Sequence, residues 1–136
     1  MTNNSKVTLK EGMHFIGELE GFEFNLDADP NFGGKNNGPK PKGLILTALA
    51  GCTSMDVISV LRKMKVEPEE FFVNVEGELS EEHPKVYKDI LITYHFKGNI
   101  KKEQAEKAID LSLTKYCGVA AMLKKSSNVN YNIVIE

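Results

Sequence analysis

Gly43 to Leu61 is an apolar run of nearly membrane-spanning length, and it restricts what this chain can become more than any other segment. A stretch of this kind either crosses a bilayer or occupies the centre of a globular core. Asp56 interrupts it, and Thr47, Thr53, Ser54 and Ser59 are polar within it, so the expectation is a buried core helix with no membrane role. Pro41 suits a first helical turn, where its missing N–H costs nothing. Only Gly51 weakens the helical pattern before Pro68.

Strands are expected on both sides of this central helix. From Lys6 to Asp27 the pattern alternates, with Met13, Phe15, Gly17 and Leu19 on one face and Phe22, Phe24 and Leu26 resuming after a Glu20–Gly21 turn, which reads as an antiparallel meander. Residues 28–40 are rich in Gly, Asn and Pro and read as a long loop. Beyond the helix, Val73, Val75, Gly77 and Leu79 alternate in one strand and Ile90, Ile92, Tyr94 and Phe96 in the next, joined by a hairpin loop. An amphipathic helix follows, with Ala105, Ile109, Ser112 and Tyr116 on one stripe and a Glu103–Lys107 pair across a turn. Cys117–Gly118 opens a shorter helix, and NVNYNIVIE closes as a strand. The expected fold class is α+β, with antiparallel sheets around a long buried central helix, and residues 1–136 are expected to form one domain.

The charge balance excludes several functions. A formal net charge of -2 lacks the basic excess on which nucleic-acid binding leans. The N-terminal MTNNSKVTLK has no apolar h-region, so a cytoplasmic location is expected. Gly33 and Gly38 are spaced as in a phosphate-binding loop, but Pro39 stands where lysine is required. His14, His83 and His95 fall at no metal-ligand spacing and are expected at the surface or at sheet edges. No Gly-x-Ser-x-Gly elbow is present. Arg62, Lys63 and Lys65 read as a solvated helix end complementing the dipole.

Two thiols remain. Cys52 lies about halfway along the central helix beside Gly51, Thr53 and Ser54, where small neighbours leave room and hydroxyls can donate to sulfur. The competing reading is a cysteine acting as a small core hydrophobe. Cys117 sits between two helices, where free N–H groups and the positive dipole end can lower a thiol pKa, or where it is a junction residue without chemistry. Composition does not decide between these readings.

PKGLILTALAGCTSMDVISVLRKMKV, followed by LTKYCGVAAML, resembles the OsmC/Ohr family, and the order of elements agrees over nearly the whole chain. The resemblance implies an intertwined homodimer and a thiol-dependent peroxidase that reduces organic hydroperoxides, and hydrogen peroxide less well. Cys52 would be the peroxidatic and Cys117 the resolving cysteine, linked in a disulfide during turnover and re-reduced by a dithiol such as a lipoylated protein. No metal or organic cofactor is implied.

The chain departs from the best-characterised branch of that family, which holds its thiolate with an arginine in the N-terminal region and has a glutamate ten residues before the first cysteine. Lys42 occupies the latter position, and no arginine precedes Arg62. A lysine, Lys42 or another from the glycine-rich loop, would supply a point charge without the bidentate guanidinium fork. These departures resemble a less-characterised branch that keeps the cysteines. The alternative function is accordingly a dimeric redox-sensing or apolar-ligand-binding protein of the same fold without efficient turnover.

Overall fold

A computed structural model describes residues 1–136 and divides them into two compact units, Met1–Ile45 and Leu46–Glu136. In the first, β1 (Ser5–Glu11), β2 (His14–Leu19) and β3 (Phe22–Leu26) form an antiparallel meander in that order. Glu20 and Gly21 both take positive φ, as a two-residue hairpin turn demands. Gly17 faces Phe24 across the ladder, and a Cβ there would stand 2.6 Å from the Phe24 ring, so this position accepts only glycine while the ring lies over the strand. His14 is buried and bonds Asn25 Oδ1 through Nε2 at 2.9 Å, which corrects the expectation of a surface or edge histidine.

The glycine-rich loop has an anchor. Asp27, 3% exposed, accepts hydrogen bonds from the backbone N–H groups of Ala28, Lys35 and Asn37 and from the Asn37 side chain. The Asn37 N–H contributes most to holding this carboxyl below its ordinary 3.8, against the opposing effect of desolvation. The loop contains a single 3-10 turn at Pro30–Phe32, capped by the Asp29 side chain, and a second 3-10 turn, Pro41–Gly43, leads into the central helix.

The second unit is built on α1 (Leu44–Lys63), most of which lies within it, β4 (Glu70–Leu79), β5 (Tyr87–Lys97), α2 (Lys102–Leu111), α3 (Gly118–Leu123) and β6 (Asn128–Ile135). Ile90, Ile92, Tyr94 and Phe96 of β5 are all buried, as their alternation predicts. They join Leu49, Val57 and Leu61 of α1 and Ala105, Ala108 and Ile109 of α2 in one core cluster. Leu49, Thr53, Val57 and Leu61 recur every fourth residue, which puts one face of α1 in the core, while Met55 on another face is 75% exposed. In the single chain the central helix is therefore buried along one stripe only.

Four local expectations need correction. The second sheet is mixed: β4 and β5 pair antiparallel, but β6 lies parallel to β5. The reason is topological, since the chain passes from β5 through α2 and α3 before β6, and such a crossover returns the strand in the same direction. Leu79 is exposed at the last position of β4, where the β4–β5 register shifts and Lys88 of β5 has no partner in the ladder. Tyr116 is exposed because Ser112–Tyr116 is a π-helical turn; its wider winding ends the stripe at Ser112 and Leu113, which are buried. The ion pair across α2 joins Lys102 to Glu106 rather than Glu103 to Lys107.

Candidate functional site

The two cysteines meet within the second unit. Cys52 sits on α1 one residue before the buried Thr53, so it borders the core stripe and is half-buried. Cys117 is 3% exposed and caps α3, its sulfur accepting the Ala120 N–H at 3.3 Å. Asp56, one helical turn beyond Cys52, completes a group of three: Cys52 Sγ, Cys117 Sγ and an Asp56 carboxylate oxygen all lie within 4.8 Å of one another. Both cysteines are free thiols.

A chain of hydrogen bonds ends on Asp56. Ser112 Oγ donates to Asp56 Oδ2 at 3.0 Å, Thr53 Oγ1 lies 2.7 Å from Ser112 Oγ, and Tyr94 Oη lies 2.7 Å from Thr53 Oγ1. Each hydroxyl has one proton, so the whole chain has one direction. Ser112 spends its proton on the carboxylate and must accept from Thr53; Thr53 has then spent its own and must accept from Tyr94. Every dipole points its positive end toward Asp56. Tyr94, Thr53 and Ser112 are each fully buried, where such a chain gains from the low local dielectric.

Ser112 has a second task. Its carbonyl accepts the Cys117 N–H at 2.7 Å, five residues on, which is the bond that closes the π turn. One residue thus orients Asp56 through its side chain and Cys117 through its backbone. π turns are concentrated at functional sites for this kind of reason.

The expected lowering of the Cys117 pKa does not occur. Burial pushes the thiol up, and although the Ala120 N–H opposes this, the neighbouring Cys52 and Asp56 add to the rise, which reaches about 11. Burial also pushes Tyr94 up to about 12, consistent with its place as a proton donor. Arg62, the one arginine, is engaged by Glu67 in a bidentate pair at 2.9 and 3.0 Å, both partners exposed. Lys42 lies exposed in the 3-10 turn preceding α1.

Sequence reasoning found the two cysteines and missed their companions. Asp56 registered only as a break in an apolar run, although Cys-x-x-x-Asp on a helix places both side chains on one face. Ser112 and Tyr94 carried no local signal, because each reaches the site from a distant element. Farther along α1, Ser54, Met55, Ile58, Ser59, Arg62 and Lys63 together with Phe71 line an open cavity of about 630 Å³ that includes neither cysteine.

Comparison with known proteins gives a consistent result. A sequence profile described as OsmC-like protein matches residues 34–132. Protein YhfA of Escherichia coli K12 is 34% identical over 130 residues, covering 94% of each chain. A hypothetical protein from Aquifex aeolicus VF5 superposes with a TM-score of 0.85 at 26% identity, covering 100% of this chain and 98% of its own. An organic hydroperoxide resistance protein from Elizabethkingia anophelis shares the fold with a TM-score of 0.78 at 16% identity, over 100% and 97% of the two chains.

Proposed function

We propose that this chain, which belongs to the OsmC-like family, is a thiol-dependent peroxidase acting on organic hydroperoxides, with Cys52 as nucleophile and Cys117 as resolving thiol. The observation that carries the reading is the convergence of the two sulfurs within 4.8 Å from separate helices. Cys52 is the more open of the two, which suits it to meet a peroxide, and the buried Cys117 suits the later step. Several proteins of the same fold are named for organic hydroperoxide resistance.

The Cys52 thiolate attacks the distal peroxide oxygen, the O–O bond breaks, and the sulfur leaves as sulfenic acid with an alkoxide as the other product. The alkoxide takes up the proton that the thiol lost and leaves as the alcohol. Cys117 then attacks the sulfenic sulfur, forming the Cys52–Cys117 disulfide and releasing water. An external dithiol, of the kind a lipoylated protein carries, exchanges with the disulfide and restores both thiols.

A homodimer accompanies this reading. β1 leaves all its residues exposed in the single chain, including Val7 and Leu9, and α1 exposes Ile45 and Met55. A second copy would cover such apolar surface. A cytoplasmic setting, where thiols are kept reduced, fits the same cycle.

The second reading, redox sensing or apolar-ligand binding without efficient turnover, is favoured by the engagement of Arg62 with Glu67 and by an acidic residue, Asp56, in place of a basic one beside the thiols. The experiment is steady-state reduction of an organic hydroperoxide by the reduced protein with excess dithiol and a chelator present. Multiple turnovers that fall to the uncatalysed background in Cys52→Ser support the peroxidase. A single stoichiometric oxidation with no further turnover supports the sensor, and turnover unchanged in Cys52→Ser overturns both.

A further inference from the structure

Two thiols and a carboxylate within 4.8 Å of one another form a donor set that peroxide chemistry does not require. A peroxidatic thiolate is served by neighbouring positive charge, whereas here the neighbour is an acid that makes no ion pair with any lysine or arginine. The hydroxyl chain from Tyr94 through Thr53 to Ser112 ends on that carboxylate and fixes its orientation. A carboxylate oxygen is thus held at the point where the two sulfurs meet.

The geometry points to a binding site for a thiophilic divalent cation, zinc above all, with Cys52 Sγ, Cys117 Sγ and an Asp56 carboxylate oxygen as its three protein ligands.

Zinc takes sulfur at about 2.3 Å and carboxylate oxygen at about 2.0–2.2 Å, so tetrahedral donors stand roughly 3.4–3.8 Å apart. Three donors already within 4.8 Å reach that spacing by side-chain adjustment of about 1 Å or less. Sulfur-rich ligation selects a soft or borderline ion over magnesium or calcium. The supporting contacts are those expected around a metal ligand: Ser112 Oγ holds the Asp56 carboxylate, and the Ser112 carbonyl fixes the Cys117 backbone. Three protein ligands leave a fourth position for water or an exogenous group. On binding, two S–H bonds break, two metal–sulfur bonds form and two protons leave to solvent, with no change of oxidation state.

This site goes beyond the peroxidase reading and competes with it, since a sulfur committed to metal cannot attack a peroxide. The reduced, metal-free protein is titrated with Co²⁺ under anaerobic conditions, then with Zn²⁺. The expected result is saturation at one metal per chain with near-ultraviolet thiolate-to-cobalt charge transfer of two-thiolate intensity, displaced by Zn²⁺. No charge-transfer band, or the intensity of one thiolate, overturns the proposal. Asp56→Asn keeps the band and weakens Co²⁺ binding at least tenfold; unchanged affinity removes Asp56 as a ligand and overturns the three-donor site. Ser112→Ala tests the same point without touching a ligand and is expected to weaken binding by about tenfold or more. Peroxide turnover measured in chelator reads the thiol cycle alone, so its failure leaves the metal titration intact, and the reverse holds.

Discussion

Asp27 in the first unit accepts four hydrogen bonds from groups one to ten positions along the chain, whereas Asp56 in the second accepts one, from Ser112, 56 positions away. Three of the four donors on Asp27 are backbone N–H groups of the loop it closes, so its charge is consumed locally in shaping that loop. The donor on Asp56 is the end of a buried hydroxyl chain, and two thiols stand beside it. A carboxylate saturated by nearby backbone is architecture. One with a single remote donor and reactive neighbours has capacity left for chemistry.

The largest effect that tests this contrast is on Cys117. With its thiol pushed up to about 11, the reactive thiolate fraction grows about tenfold per pH unit well below that value. Alkylation of Cys117 in the native, chelator-treated Cys52→Ser protein is expected to accelerate roughly a hundredfold between pH 8 and pH 10. The raised value also means that burying this thiol stabilises the fold fully below its unfolded pKa, and that this contribution is lost as pH rises toward about 11. Asp56→Asn removes one of the smaller causes of the rise and should move the alkylation profile to lower pH. A flat profile between pH 8 and pH 10 would break the assignment.

Asp27 should behave in the opposite sense. Asp27→Ala strands three loop N–H groups and is expected to lower the melting midpoint by roughly 5–10 °C, while leaving alkylation rates at Cys52 and Cys117 unchanged. Because its folded pKa is lowered, the contribution of Asp27 is present above 3.8 and is lost as pH falls through the folded value. The loss of that contribution on acid titration should therefore be centred below 3.8 in the native protein and be missing from Asp27→Ala. Altered thiol reactivity in this variant would erase the distinction between the two aspartates.

The same contrast explains how much was legible in sequence. The meander, the central helix, the β4–β5 hairpin and the inward face of β5 follow from periods of two and 3.6 residues, which are local properties. Cys52 and Cys117 stood out because thiols are few here and their surroundings resembled a known family. The direction of β6, the phase change at Ser112–Tyr116 and the Tyr94–Thr53–Ser112–Asp56 chain all depend on which distant segments meet. Periodicity has no term for that. Ser112 illustrates the point: on the helical stripe it reads as one more inward residue, yet it is the node that ties Asp56 to Cys117.

The smallest expected effect concerns the direction of the hydroxyl chain. Tyr94→Phe removes the first donor and leaves Thr53 with an unused lone pair, while Thr53 still donates to Ser112 and Ser112 to Asp56. Losing one such buried hydrogen bond costs about 1 kcal/mol, readable as a shift in the denaturant midpoint at unchanged slope. Thiol alkylation rates should stay at wild-type values. Were the chain to run the other way, with Thr53 donating to Tyr94, the variant would leave a buried hydroxyl proton without an acceptor at a cost of about 1–3 kcal/mol, and Ser112 would be free to turn away from Asp56. A large stability loss together with altered thiol reactivity in Tyr94→Phe would reverse the assigned direction and turn the hydroxyl dipoles away from Asp56.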